Sequence, residues 1–127
     1  MKISQCVPTE ILGQIAEAVF TTNFDSVMVT KSTGKTPIIY VNRVFTELTG
    51  YDAEDVIGKS PSLLQGPETD SGVLDQLRAD LESGRNFEGR ATNYRKDGTP
   101  FTMHWRVAPV KSEDGEVHYY IAVQREG

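Results

Sequence analysis

The sequence predicts an α+β domain, with a five-stranded antiparallel sheet, short helices over one face of the sheet and an amphipathic helix at the N-terminus. Three observations predict this class. Apolar residues recur at helical spacing before residue 21 and again over 70–84. Two strand-like runs lie between these segments, and three more follow residue 84. The last three runs are separated by Asp97-Gly98 and Asp114-Gly115, dipeptides that favour tight hairpins.

The N-terminal segment indicates a helix that covers a larger domain. From Pro8 to Phe20 the apolar residues recur every three or four positions, namely Ile11, Leu12, Ile15, Ala16 and Val19. We therefore treat residues 1–22 as an N-terminal helical cap and residues 23–127 as the main domain. The main domain opens with two β-branched runs, Ser26 to Thr30 and Pro37 to Val41, which a turn-like segment joins into a hairpin.

Short helices are predicted between this hairpin and the later strands. Phe45, Leu48 and Tyr51 mark one that Gly50 ends. Asp52 fits the N-cap of a second, with Asp55 in its first turn. Asp70 or Ser71 caps a third that closes at Gly84, and its apolar stripe consists of Val73, Leu74, Leu77 and Leu81.

Residue parity sorts the side chains of the last three strands, predicted at about 86–95, 100–110 and 117–125. In the middle strand Met103, Trp105 and Val107 share an apolar face that we expect to point inward, and Ala91 and Asn93 share a face of the strand before it. The last strand has large side chains on both faces: Tyr120, Ala122 and Gln124 on one, Tyr119, Ile121 and Val123 on the other. An outer face of this kind is usually covered, by the 8–20 helix or by a second copy of the chain.

Composition excludes several classes of function. The 127 residues fit one domain, and the net charge of −5 comes with scattered lysines and arginines, which argues against nucleic acid as a partner. No apolar run approaches the ~20 residues of a membrane-spanning helix, and no signal peptide is recognisable. We therefore expect a cytoplasmic domain that does not bind membranes.

Four blocks of sequence resemble PAS domains, and more narrowly the LOV domains, which are their blue-light-sensing branch. The blocks are Ile39 to Phe45 with Thr49-Gly50-Tyr51, Leu64 to Asp70, Asn93 to Gly98, and Val123-Gln124. The resemblance to PAS domains runs from about residue 10 to the end, and the LOV-like part covers 38–125. It implies a PAS fold, and FMN or FAD as the cofactor to be tested.

The resemblance also implies candidate cofactor contacts. Gln65 matches a glutamine near the ribityl chain, Arg78 one of two arginines that hold the phosphate, and Asn93 the first of two asparagines at the polar edge of the ring. Gln124 matches the glutamine that lies near the reactive nitrogen and relays the signal to the sheet. Asn42, Met103 and Trp105 complete the predicted set of cofactor-binding residues.

The departures from the LOV pattern are as numerous as the matches. Pro61 stands where the photoactive cysteine is expected, and Ser60 and Ser62 replace an asparagine and the second phosphate arginine. Met103 replaces the second asparagine at the ring, and Trp105 replaces a smaller aromatic residue. Ser60-Pro61 also has a purely structural explanation, because serine at the N-cap followed by proline is a favoured helix start.

Two functions follow from this pattern. The first is a sensory or regulatory module of a bacterial signalling protein, which works through a homodimer formed by the N-terminal helix and the outer sheet face, without adduct photochemistry. The alternative is a LOV-like sensor that binds flavin and responds to redox state or light through flavin reduction. In either case the resemblance implies a C-terminal output domain, such as a histidine kinase or a diguanylate cyclase.

Catalysis by the domain itself is not expected. Cys6 is the only cysteine and lies next to the N-terminus, and neither His104 nor His118 has metal-ligand spacing with another candidate. We identify no pairing of a nucleophile with a base and no glycine loop for phosphate. The sequence therefore predicts no catalytic residue and no metal site.

Overall fold

A computed structural model describes all 127 residues. The chain begins with two 3-10 turns, Ile3–Gln5 and Thr9–Ile11, and a third lies at Pro61–Leu64. The four α-helices are α1 (Leu12–Thr22), α2 (Arg43–Thr49), α3 (Ala53–Val56) and α4 (Ser71–Glu82). The five strands are β1 (Ser26–Lys31), β2 (Ile38–Val41), β3 (Phe87–Tyr94), β4 (Pro100–Lys111) and β5 (Val117–Glu126). The predicted α+β class is confirmed.

The five strands form one antiparallel sheet in the order β2-β1-β5-β4-β3. Gly98 and Gly115 adopt positive φ angles of 88° and 86° in the two C-terminal hairpins, a conformation that glycine tolerates at little cost. The chain crosses from β2 at one edge to β3 at the other through the helical segment between them. The last strand therefore lies at the centre of the sheet, beside the first.

The core lies on the inner face of the sheet, beneath the helical segment. Met103, Trp105 and Val107 of β4 are 1%, 7% and 6% exposed, as the parity of this strand predicts. From the segment that covers them, Phe45 and Leu64 contribute side chains that are at most 2% exposed. Burial of these large apolar groups supplies the main free energy that holds the helices on the sheet.

Local capping explains where the helices begin. The carboxylate of Asp70 accepts hydrogen bonds from the N–H groups of Gly72 (2.7 Å) and Val73 (3.3 Å), and Ser60 Oγ accepts one from the N–H of Ser62 (3.2 Å). Each satisfies backbone donors that lack a partner within the helix. The predicted caps at Asp70 and Ser60 are therefore present, and Ser60 starts the 3-10 turn at Pro61–Leu64.

The segment that follows this turn is fastened to β3. The N–H of Glu68 donates to the Tyr94 hydroxyl (3.0 Å), and Thr69 Oγ1 donates to the carbonyl of Thr92 (2.6 Å). Gly66 lies directly against the Tyr94 ring, so that a Cβ at position 66 would overlap the ring atoms. The glycine is thus required by close approach of the backbone to a side chain, since its own φ is not positive.

Helix α1 starts at Leu12, later than the predicted Pro8, because the preceding residues form the second 3-10 turn. No residue of α1 is buried, and its C-terminal end meets the outer face of the sheet, where the Phe20 and Tyr40 rings are 5.5 Å apart. Partial burial, and then the nearby Glu17 carboxylate, raise the pKa of Tyr40. The expectation that this helix covers the outer face is met at Tyr40 of β2. The part formed by β4 and β5 stays open.

Candidate functional site

A cavity of about 200 Å³ lies between the inner face of the sheet and the helical segment. Its floor is formed by β1, β4 and β5, and its wall by the 3-10 turn and α4. The lining residues are Met28, Thr30, Thr36, Ser60, Pro61, Ser62, Gln65, Leu77, Leu81, Trp105, Val107, Tyr120, Ala122 and Gln124. Three of the seven predicted cofactor contacts, Gln65, Trp105 and Gln124, are in this set.

Gln124 is the most deeply buried polar group of the lining, with 4% of its surface exposed. Its Oε1 accepts a hydrogen bond of 2.8 Å from Ser26 Oγ on the neighbouring strand. No protein group accepts a hydrogen bond from its Nε2. Gln124 therefore offers the cavity a donor whose orientation is fixed by a buried serine, a residue that the sequence did not single out.

Trp105 pairs with Gln124 in the sheet and forms part of the cavity floor. Its ring also packs against Phe87, with ring centroids 5.1 Å apart. On β3, the strand on the other side of β4, Gly89 is the residue that pairs with Trp105. The indole thus packs among Phe87, Gly89 and Gln124 and occupies part of the space on the inner face of the sheet.

Asn93 and Met103 contact each other within the core and do not line the cavity. Asn93 Nδ2 lies 3.3 Å from Met103 Sδ, a weak acceptor, and Asn93 Oδ1 is buried without a hydrogen-bond partner. An unpaired buried carbonyl costs about 1–3 kcal/mol. Of the two asparagines expected at the polar edge of a flavin ring, one is therefore present. Its amide has only a weak acceptor and no hydrogen-bond donor.

The structure does not bring Arg78 to the cavity. Its side chain is 66% exposed and forms an ion pair of 3.1 Å with Asp75, one turn earlier on the surface of α4. The expectation that it holds a phosphate at this site is therefore not supported by its position. A solvent-exposed pair of this kind contributes little to stability.

Asn42, the last of the four predicted contacts that lie outside the cavity lining, has a structural role. Its Oδ1 accepts from the N–H groups of Val27 (2.9 Å) and Phe45 (3.2 Å), and its Nδ2 donates to the carbonyls of Phe20 and Asp25, both at 3.0 Å. These four hydrogen bonds link α1, the loop before β1, β1 itself and α2. The structure thus places the Asn42 amide in these bonds and outside the cavity lining.

The cavity residues do not fit a flavin nucleotide. A volume of about 200 Å³ is below the ~300 Å³ at which pockets for drug-sized ligands begin. No cationic side chain lines it to receive a phosphate, and Met103 has no donor for a ring carbonyl. Of the cofactor contacts that the resemblance implies, Gln65, Trp105 and Gln124 line the cavity, and only the two glutamines carry an amide.

A second polar cluster lies at the exposed turn between β4 and β5, where the sequence predicted no site. Ligand atoms of Asp114, Glu116 and His118 lie within 4.8 Å of one another, and His118 Nε2 is 3.1 Å from Ser112 Oγ. Ser112 donates to Asp114, and this bond is the largest cause of the lowered pKa of Asp114. Glu116 directly precedes β5 and His118 lies two positions later, a spacing that is visible in the sequence. The cluster is exposed, and none of its residues lines the cavity described above.

No helix in the structure combines the length and the apolar character that crossing a membrane requires.

Comparison with known proteins identifies relatives of this architecture. A family model described as "PAS domain" matches residues 25–126. Phototropin-1A of Oryza sativa subsp. japonica is 42% identical over 90 residues, which is 71% of this chain and 10% of that protein. A blue-light-activated histidine kinase of Brucella anthropi is 41% identical over 88 residues, 69% of this chain and 18% of the kinase. The chain thus spans less than a fifth of either relative.

Among solved structures, an RNA-binding light-oxygen-voltage receptor superimposes with a TM-score of 0.86 at 27% identity, covering 94% of this chain and 34% of that one. The fold that holds the cavity is therefore shared with light-oxygen-voltage receptors, including one that binds RNA.

Proposed function

Since the chain belongs to the PAS domain family of sensory modules, we propose that it signals by rearranging a homodimer when a ligand or a partner binds. The observation that carries this proposal is a pair of apolar surfaces that lack a partner within one chain. One is the outer face of β4 and β5, and the other is the exposed side of α1. Both lie on the same side of the sheet, and this is the arrangement that a two-fold dimer needs.

The open part of the outer face is a groove in which Ala108, Ile121 and Val123 are only partly buried. At its end Tyr119 is 41% exposed. Val19 of α1 is 49% exposed and Ile11, in the 3-10 turn directly before the helix, is 40% exposed, although both belong to the predicted apolar stripe. A second copy of the chain could cover both surfaces by placing its helix against the groove. Its α1 carries no basic residue that would repel Arg106 at the groove's polar end.

The proposed mechanism involves no covalent bond to a flavin. Pro61 lines the cavity and has no nucleophilic atom, and Cys6, the only cysteine, is exposed in the N-terminal segment. Thiol attack requires a cysteine close to the reacting atom. The signal would therefore pass by noncovalent changes, from the cavity through Gln124 of β5 to the outer face of the same strand.

The oligomeric state tests this proposal. Sedimentation velocity of the wild-type chain should show a concentration-dependent dimer, and Ile121→Glu should make it monomeric because a charge would be buried in the groove. Ile57→Glu is the matched control, since Ile57 is 46% exposed but lies away from the outer face. A wild-type chain that stays monomeric up to millimolar concentration overturns the proposal, as does a dimer that both variants leave intact.

The relatives favour a second candidate function, a flavin-binding sensor that responds through flavin reduction. Its support is the similarity to phototropin-1A and to the blue-light-activated kinase, together with the presence of Gln65 and Gln124 at the cavity. It requires the cavity to widen around Trp105. The absorption spectrum of the purified protein, before and after addition of FMN and FAD, decides between the two, because bound flavin gives a structured band in the blue.

The remaining parts of the proposal concern the rest of the protein. We propose a cytoplasmic signalling protein of bacterial origin, in which this non-catalytic domain controls a C-terminal histidine kinase or diguanylate cyclase. The histidine kinase named among the relatives supports the first of these outputs. Attachment of the kinase after β5 would let the dimer rearrangement reach it directly.

A further inference from the structure

The lining of the interior cavity carries hydrogen-bonding groups but no charge. Its polar side chains are hydroxyls and amides: Thr30, Thr36, Ser60, Ser62, Tyr120, Gln65 and Gln124. The remaining lining residues are apolar or aromatic. An ionised ligand would lose its hydration here without gaining a counter-charge, at a cost of several kcal/mol. The cavity therefore selects against charged compounds.

The polar group at the deepest part of this lining sets which atom a ligand must present. Ser26 Oγ occupies Gln124 Oε1, and this leaves the Nε2 hydrogens as the donors of a side chain that is 96% buried. Nε2 has no acceptor within the protein and keeps some accessible surface, so an acceptor atom of a ligand would take the place of solvent there. A ligand that fills the cavity is therefore stabilised when it places a carbonyl or ring-nitrogen acceptor against Gln124.

Volume limits the size of the ligand. A dry apolar cavity of roughly 150 Å³ in another protein holds benzene, and this cavity of about 200 Å³ is somewhat larger. Its volume is suited to two fused rings, and a third ring would extend through the open side of the cavity. The flat side of Trp105 and the chains of Leu77 and Leu81 provide surfaces for a planar molecule.

We propose that this cavity binds a small, uncharged, two-ring heteroaromatic compound whose hydrogen-bond acceptor meets Gln124 Nε2. The inference rests on the proposed sensory function, for which it specifies the class of ligand. Binding would satisfy the amide that is anchored to β1 through Ser26. It would thereby couple the contents of the cavity to the two adjacent central strands, β1 and β5.

The probe for this test is 2-quinolone, a neutral bicyclic lactam with a carbonyl acceptor. Trp105 is the only tryptophan and forms part of the cavity, so its fluorescence reports occupancy directly. We expect saturable quenching with a dissociation constant on the order of 0.1 mM, in keeping with the ligand's size. Two control probes of similar shape should bind much less well: naphthalene, which lacks the acceptor, and quinaldate, which carries a negative charge.

Two variants test whether the probe binds in the cavity. Gln124→Leu should weaken 2-quinolone binding about three- to tenfold through loss of one hydrogen bond, and should leave the affinity for naphthalene unchanged. Ala122→Leu should abolish binding by filling the space, with circular dichroism to establish that it folds. Arg78→Ala is the control, because Arg78 faces solvent and should not affect the probe.

The possible results distinguish failure of the proposed ligand class from failure of the proposed dimer mechanism. Failure of 2-quinolone to quench Trp105, or equal binding of quinaldate, overturns the ligand class even where Ile121→Glu still dissociates the dimer. Saturable binding to a strictly monomeric chain supports the ligand class and removes the dimer mechanism. Tight binding of FMN, weakened by Arg78→Ala, overturns the inference in favour of the flavin sensor.

Discussion

Ser26 and Gln124, which are 98 positions apart in the sequence, form a buried hydrogen bond of 2.8 Å between the first and the last strand. Neither side chain is more than 4% exposed. Their strands are neighbours at the centre of the sheet, and the two residues are directly opposite each other in the register. This bond joins the strand that follows the N-terminal helix to the strand that faces the cavity.

Loss of this bond should destabilise the domain measurably. Ser26→Ala leaves Gln124 Oε1 buried without a donor, so the free energy of unfolding should fall by about 1–2 kcal/mol. Urea denaturation followed by circular dichroism measures it. Ser83→Ala is the control, since the Ser83 hydroxyl bonds to the carbonyl of Ala79 at an exposed helix end, and its removal should change stability by less than about 0.5 kcal/mol. Equal effects of the two substitutions would contradict the assigned role of Ser26.

The two buried asparagines should respond in opposite directions to the same substitution. Asn93→Leu removes an unpaired carbonyl and should raise the free energy of unfolding by about 1 kcal/mol. Asn42→Leu removes four hydrogen bonds and should lower it by about 3 kcal/mol. Thermal and urea unfolding of both variants provide the comparison. A loss of stability in Asn93→Leu would show that Asn93 Oδ1 has a partner, such as water or a ligand, in solution.

Thr36 stores backbone strain beside the cavity. Its φ angle is 53°, in the left-handed region that is unfavourable for a β-branched residue, and Pro37 follows it. Thr36→Asn should therefore stabilise the chain by about 1 kcal/mol, because asparagine tolerates this region far better. Thr33→Asn, in the same loop and without a positive φ, should have no such effect. Equal stabilisation by Thr36→Asn and Thr33→Asn would indicate that asparagine acts on the unfolded chain and does not relieve strain at position 36.

The link between Asp55 and Lys96 should make stability depend on pH in the acid range. The Lys96 ammonium at 3.0 Å, and then the N–H of Asp52, lower the pKa of Asp55 below its ordinary value of 3.8. When folding lowers the pKa of a carboxyl group, the resulting stability is fully present above the ordinary pKa of the unfolded chain. This stability is lost as the pH falls through the lowered pKa of the folded chain. Asp55→Asn should thus be less stable than wild type at pH 7, and the difference should vanish toward pH 2.

Urea midpoints measured from pH 7 down to pH 2 would show this convergence. Glu54→Gln is the control, because the adjacent Glu54 makes no hydrogen bond or ion pair and its substitution should leave the pH profile unchanged. A difference between Asp55→Asn and wild type that persists at pH 2 would assign the effect to packing instead of charge.

The sequence predicted the sheet because its determinants are local. Parity placed Met103, Trp105 and Val107 inward, and the Asp-Gly turns set the two hairpins. The caps at Ser60 and Asp70 depend on side chains one to three residues from the groups they satisfy, so spacing sufficed to find them.

The candidate site was predicted less well, because it depends on contacts between distant segments. Gln65, Trp105 and Gln124 reach the cavity as the resemblance implied. Arg78 lies on the expected helix, but its side chain pairs with Asp75 at the surface, and no pattern along the sequence distinguishes these orientations. The role of Asn42 depends on where α1 ends against β1. Ser26 meets Gln124 only because β1 and β5 are neighbours in the sheet.

The contact between Gly66 and Tyr94 has a consequence for inheritance. Any side chain at position 66 would occupy the space of the Tyr94 ring, so a mutation from glycine is tolerated only in a background where residue 94 is already smaller. A smaller residue at position 94 can be substituted first, because it leaves a gap and causes no clash. Among descendants of this domain we therefore expect the two positions to change together and in one order, with the ring lost before the glycine.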